Sequence, residues 1–148
     1  MDHIPYTTVN TTVLVSAATR DALARTRDSY GAPSLDAAIR RVLRDATPTA
    51  QDLWRVHEAA VLAVCQRHKV RRLIAFGSRV RDDRHPGSDL DLVVQMPTAS
   101  GVAGLLALRA ELTNALGVRV DLGDLPAPGS RSWKSIRAEG VALVGPAP

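Results

Sequence analysis

Ile74-Ala75-Phe76-Gly77-Ser78-Arg79 and Gly87-Ser88-Asp89-Leu90-Asp91-Leu92-Val93-Val94 decide how this chain reads. The first stretch has the form of a strand ending in Gly-Ser. Ten residues then intervene before Asp-Leu-Asp opens a second strand. Leu73 to Phe76 is a short apolar run, which reads as a buried strand. Gly77 lets the backbone turn sharply and lets a phosphate come close. Ser78 is expected to open a helical turn, with its hydroxyl and several backbone N–H groups facing one way as an anion site. In the second strand, residues i and i+2 share a face. Asp89 and Asp91 therefore point together, and Leu90 and Leu92 point into the core. Two carboxylates about 6–7 Å apart on one strand face repel each other unless a cation sits between them. Hard oxygen donors suit Mg²⁺, which is commonly held by one or two carboxylates and the substrate's phosphates. A phosphate cradle beside paired aspartates is equipment for phosphoryl or nucleotidyl transfer.

Gly77-Ser78, the ten-residue gap and Asp89-x-Asp91 resemble the signature of the nucleotidyltransferase superfamily, above all its small members, the minimal nucleotidyltransferases. The resemblance spans roughly residues 52–145. It implies a third carboxylate from a later strand, and Asp121 in Val118-Arg119-Val120-Asp121-Leu122 stands at that place. The gap departs from the family pattern. Arg81-Asp82-Asp83-Arg84-His85-Pro86 replaces the small or glycine residues often found there.

The 148 residues suffice for one ordinary domain or two small ones. With aromatics at only 3%, the core must be built from Val, Leu, Ile and Ala. The net charge of +4 permits nucleic-acid binding without demonstrating it, because the arginines are scattered. Cys65 is the single cysteine, so no internal disulfide can form, and its apolar helical setting reads as a buried structural thiol. No signal peptide and no membrane-spanning run is read in the sequence, so the expected location is cytoplasmic.

Thr8 to Ser16 is rich in β-branched residues and reads as a strand. Ser16 is placed as the cap of a helix to about Tyr30. Gly31-Ala32-Pro33 breaks the chain, and Ser34 caps a second helix with Leu35, Ala38, Ile39, Val42 and Leu43 at helical spacing. One strand and two helices cannot close a core alone. The expected remedy is a homodimer through residues 8–47 in which two strands pair. Residues 1–47 resemble the ribbon-helix-helix family of DNA-binding dimers. By position, the resemblance implies that Thr12 and Leu14 face bases, with Asn10 as an outlying candidate, and that Ser34 faces a phosphate. The outward strand face lacks the Arg or Lys common in that family. Operator-DNA reading and protein docking are both consistent with the segment.

Asp45 to Asp52 reads as a linker, and residues 52–148 as the catalytic domain. Asp52 is expected to cap a helix over Leu53 to about His68, apolar on two sides. One stripe holds Leu53, Val56, Ala60 and Val64. The other holds Trp54, Val61 and Cys65. His68-Lys69 is expected to answer that helix's C-terminal dipole. Val102 to Leu116 forms an amphipathic helix with Leu105, Leu108, Leu112 and Leu116 as its core stripe, stopped by Gly117. Val118 to Leu122 reads as the third strand, Ser130 caps a helix to Glu139, and Val141 to Val144 is a last strand. Trp133 and Ile136 are its packed face, and Lys134 and Arg137 its solvated one. The fold class is α/β (α+β): a mixed sheet with flanking helices, preceded by a small β-α-α segment.

The resemblance implies roles. Gly77, Ser78 and Arg79 bind the phosphates of ATP or another triphosphate. Asp89 and Asp91 hold Mg²⁺, and Asp121 completes the metal site or takes a proton from the attacking hydroxyl. Minimal nucleotidyltransferases are often antitoxins that silence a small helical HEPN ribonuclease toxin by adding AMP to a tyrosine. A catalytic part of only about 100 residues, with no second substrate domain, points to an acceptor on another chain. Two alternatives stand beside this. One is a dimeric regulator that binds DNA or toxin and turns over little. The other is a tRNA-modifying toxin.

Overall fold

The computed structural model describes residues 12–81 and 83–146. It divides into two compact units, residues 1–41 and 42–148.

In the first unit, α1 runs Ala17–Ser29, with the Ser16 side chain accepting from Thr19 N–H as the expected N-cap. The helix α2, Leu35–Asp45, reaches past the unit's end and starts at Ser34, whose Oγ accepts from Ala37 N–H at 3.1 Å. Between them, Arg41 lies 5.2 Å over the Tyr30 ring and donates to the Tyr30 carbonyl. The expected strand does not appear in its described part. Thr12 to Ser16 carries no regular structure, and Val13 and Leu14 are exposed. β-branched propensity describes a fit to neighbouring strands, and residues 12–16 have no ladder partner among the described residues to make them one. Residues 8–11 of that strand, Asn10 included, lie outside the described residues.

The second unit is built on a four-stranded mixed sheet. Its strands are β1 (Arg72–Phe76), β2 (Leu90–Gln95), β3 (Val120–Asp124) and β4 (Val141–Val144), in the order β3-β2-β1-β4. β1 pairs antiparallel with both β2 and β4, and β2 pairs parallel with β3. The parallel step needs a crossover, supplied by α4 (Gly101–Leu116), which Gly117 ends in a left-handed cap.

One sheet face carries the main core. Leu73, Ala75, Leu90, Leu92, Val94, Val120 and Leu122 meet Leu108, Leu112 and Leu116 of α4. They also meet Leu53, Val61, Val64 and Cys65 of α3 (Ala50–Arg67). The other face has a small core of Ile74, Val93 and Ile136, the last from α5 (Arg131–Glu139), which Ser130 caps as expected. β2 is thus buried on both faces along its middle, which a simple in–out alternation does not capture.

Three expectations need correction. The helix α3 starts at Ala50 because Thr49 is its N-cap, and Asp52 is the return partner of a capping box. Of its two apolar stripes, Trp54, Val61 and Cys65 turn inward, but the stripe of Leu53, Val56, Ala60 and Val64 is buried only at Leu53 and Val64, since Val56 is 75% exposed and Ala60 is exposed too. β3 begins two residues later than expected. Gly117 turns the chain at φ +66° and Val118 packs against the core before the ladder starts, where Leu90 N–H donates to the Arg119 carbonyl. His68, at the C-cap of α3, has a further partner on α4, since its Nε2 lies 2.9 Å from Glu111 Oε1.

Candidate active site

The ladder register brings two of the aspartates together at one end of the sheet. Phe76 pairs with Asp91 across β1 and β2, and Asp91 pairs with Asp121 across β2 and β3. Directly paired residues share a face. Phe76, Asp91 and Asp121 therefore form one row, on the face that carries Ile74 and Val93 further down. Asp89, two residues before Asp91, precedes the strand.

The environments of the three carboxylates differ. Asp91 is half-buried and Asp121 is exposed. Burial holds the Asp91 carboxyl above the usual carboxylate range, and the negative charges of Asp121 and Asp89 raise it further, while Arg81 pulls it down. Asp89 pairs with the exposed Arg119 at 3.2 Å.

Gly77 follows β1 with φ +75°, in the left-handed region that favours glycine. Asp91 packs against it so closely that a Cβ on Gly77 would overlap the carboxylate. Val80 and Arg81 N–H both donate to the Gly77 carbonyl, at 3.0 and 3.1 Å. The expected helical opening at Ser78 is thus a single closed turn, with Ser78 half-buried on it.

The Arg79 side chain, placed near phosphate by the resemblance, is turned into the fold. It is 4% exposed. Its Nε donates to the Ser88 carbonyl at 3.0 Å and its NH1 to the Pro48 carbonyl at 2.9 Å. Ala50 N–H donates back to the Arg79 carbonyl. The side chain thus ties the turn to the loop before Asp89 and to the start of α3. Burial lowers its pKa, and Asp89 offsets part of that.

The loop before Asp89 is closed on itself. His85 N–H donates to Ser88 Oγ and Ser88 N–H to the His85 carbonyl. Arg84 Nε reaches the Thr47 carbonyl at 2.8 Å.

Arg81 was not singled out by sequence. Its NH1 donates to both oxygens of Glu139, each at 3.0 Å, and its NH2 lies 3.3 Å from Asp83 Oδ2. The clue available in sequence was position alone, four residues past Gly77.

Among the described residues, no three His, Cys, Asp or Glu side chains converge tightly enough to hold a metal ion by themselves. The donor set still fits a divalent cation. It consists of hard carboxylate oxygens whose mutual repulsion already perturbs Asp91, the kind of site that substrate phosphates complete. Among the DNA-facing candidates, Thr12, Leu14 and Ser34 are exposed. No described helix is long and apolar enough to cross a membrane.

Comparison with known proteins agrees with this geometry. The nucleotidyltransferase domain model matches residues 58–138, more than half of the chain. A curated protein of Methanocaldococcus jannaschii, named "Putative protein adenylyltransferase MJ0435", is 31% identical over 62 residues, covering 42% of this chain and 67% of that one. A solved "putative minimal nucleotidyltransferase" is 32% identical, with a TM-score of 0.53 over 65% of this chain and 97% of its own. A chain of a toxin–antitoxin crystal structure with AMP-PNP shares the fold, with a TM-score of 0.51 at 24% identity over 60% of this chain and 73% of its own. Asp91 and Asp121, with Asp89 just before β2, thus belong to a mixed sheet that this chain shares with a solved putative minimal nucleotidyltransferase, and the chain belongs to the nucleotidyltransferase domain family.

Proposed function

We propose that the chain is a protein adenylyltransferase, moving AMP from ATP to a hydroxyl on another protein. The observation that carries this is the row Asp91–Asp121 beside the Gly77 turn, with Asp89 two residues before it. Nucleotidyltransferases of this kind use a nucleoside triphosphate and a divalent metal. Here Asp89 and Asp91 would hold Mg²⁺, which supplies neutralisation of the charge on the transferring phosphoryl group.

The rest of the chemistry belongs to this chain's residues. The Gly77 turn uses the N–H groups of Val80 and Arg81 internally. The N–H groups of Ser78 and Arg79, with the Ser78 hydroxyl, are the donors it would offer to phosphate. The exposed Asp121 accepts the proton of the acceptor hydroxyl. That oxygen bonds to the α-phosphorus, the bond from the α-phosphorus to the bridging oxygen breaks, and pyrophosphate leaves.

The relative from Methanocaldococcus jannaschii bears a protein adenylyltransferase's name, which supports a protein acceptor. We assign that acceptor as a helical HEPN-type toxin. Incubation with α-labelled ATP, Mg²⁺ and the product of the neighbouring gene tests the reading. Label is expected on that product, and none with Asp89→Ala. A tight complex of the two proteins with no transfer from any of the four triphosphates would instead favour a binding regulator.

Residues 8–47 are assigned as a homodimerisation segment. Leu35, Ile39, Val42 and Leu43 of α2 are each 36–41% exposed at helical spacing, an apolar stripe that a second copy would cover. Light scattering on the full chain should give a dimer, and Ile39→Asp should give a monomer. A wild-type monomer removes this assignment.

A further inference from the structure

We propose that the outer face of α5, which carries Arg131, Lys134 and Arg137, is the surface on which the acceptor protein docks, through a cluster of acidic side chains of its own. The inference rests on the transfer reading above and extends it by placing the acceptor on the molecule.

α5 has two sides. On the inner one Ile136 is buried and Trp133 half-buried. On the outer one Arg131, Lys134 and Arg137 are exposed. Residues three apart are neighbours along a helix, so the three cations form one stripe about 9 Å long. None of them is in an ion pair with another described residue. Arg67, Arg81 and Arg119 of the same unit each have a carboxylate.

The helix works against this arrangement. Like charges three residues apart repel each other. The N-terminal end of a helix disfavours cations, and Arg131 opens α5 with no acidic residue in the first turn. Glu139 is the one carboxylate of α5, and both its oxygens are taken by Arg81. Carboxylates from outside relieve both the repulsion and the unanswered dipole.

The stripe also lies in the right place for an acceptor. Ile136 packs on Ile74 and Val93, on the sheet face that carries Asp91 and Asp121. Glu139 ties the end of α5 to Arg81, four residues past Gly77. A protein seated on α5 is therefore held beside the aspartate row. Single-stranded nucleic acid calls for a longer basic track and open aromatic rings. Phe76 and Trp133, the aromatic side chains on this side of the sheet, are half-buried. Acidic side chains of a protein fit the short stripe better.

Calorimetric titration of the full-length chain with the product of the neighbouring gene, at low and moderate salt, tests this. The triple variant Arg131→Glu, Lys134→Glu, Arg137→Glu is expected to weaken the complex about tenfold or more and to bind ATP in Mg²⁺ as the wild type does. The triple alanine variant should lose less affinity and flatten the salt dependence, and it serves should the reversed variant not fold. A variant that binds the product as tightly as wild type, with the same salt dependence, would overturn the assignment. Equal losses for ATP and for the product would show that α5 only supports the fold, and would overturn it too. Loss of polyuridylate binding in the variant, with the protein complex intact, would give the stripe to nucleic acid instead. A wild-type chain that neither binds nor labels the product would remove the acceptor assignment, and this inference with it. Labelling of the product with an unchanged KM in the reversed variant would remove only the inference.

Discussion

Asp91 packs directly against Gly77, so that a methyl group at residue 77 would overlap the Asp91 carboxylate. The turn that would meet phosphate and the strand that would hold the metal are in contact through these two residues. Gly77 is needed twice, for its φ of +75° and for the missing Cβ. Gly77→Ala is therefore expected to cost about 1–3 kcal/mol of stability and to remove transfer activity. Adding Asp91→Ala relieves the overlap and leaves the backbone strain. Denaturant melts of the two single variants and the double should show the double less destabilised than the sum.

Asp91 shows a conflict between stability and function. Its folded-state pKa is raised, through burial first and then through Asp121 and Asp89. A raised carboxyl gives stability that is present below the unfolded value and lost as pH rises through the folded one. At neutral pH the ionised Asp91 therefore weakens the fold. Asp91→Asn is therefore expected to raise the melting temperature at pH 7. The gain should shrink as pH falls towards 4, near the ordinary carboxyl value of 3.8. Transfer should fall by about a hundredfold or more. A divalent cation should raise the wild-type melting temperature and have little effect on the variant's. A variant that melts below wild type at pH 7 would contradict this account.

The helix caps and the two motif strands were legible because their signals are local. Ser16, Ser34 and Ser130 each cap the helix that follows, and a side-chain oxygen three residues before an N–H needs no tertiary information. Asp121 was expected only through the family resemblance, and its pairing with Asp91 comes from the parallel register of β2 and β3, with Leu90, Leu92, Val120 and Leu122 buried around the two. The roles of Arg79 and Arg81 were not legible. Which of two arginines on one turn goes inward depends on the carbonyls of Ser88 and Pro48, one of them 31 residues away. The partner of Arg81 is more distant still, 58 residues on at Glu139. The start of β3 was missed for a related reason, since the β2 ladder sets it.

Arg79 carries a prediction of its own. Two backbone carbonyls depend on its guanidinium. Arg79→Ala leaves both without that donor in a buried place and is expected to cost about 2–4 kcal/mol. Arg79→Lys should recover little, because a single ammonium does not reproduce the fork that spans both carbonyls. Chemical denaturation compares the three chains. A lysine variant as stable as wild type would show that only the charge matters.

Cys65 gives a test of the core that is independent of the site. The thiol is 2% exposed, packed with Val61 and Val64 of its own helix against Leu73 and the α4 leucines. Burial pushes its pKa up to about 11. Two barriers then stand against an alkylating reagent. The reagent cannot reach the sulfur, and at neutral pH almost none of it is thiolate, the reactive form. In the native chain, labelling must pass through opening of the α3–sheet contact, and its rate then reports the free energy of that opening. Iodoacetamide at pH 8 should label the native protein at least about a hundredfold more slowly than the chain unfolded in guanidinium, because even a local opening of about 3 kcal/mol slows exchange by that factor. Asp91→Asn, if it stabilises the sheet as argued, should slow labelling further, and Gly77→Ala should speed it. Rapid native labelling, equal in all three proteins, would place the thiol outside the core.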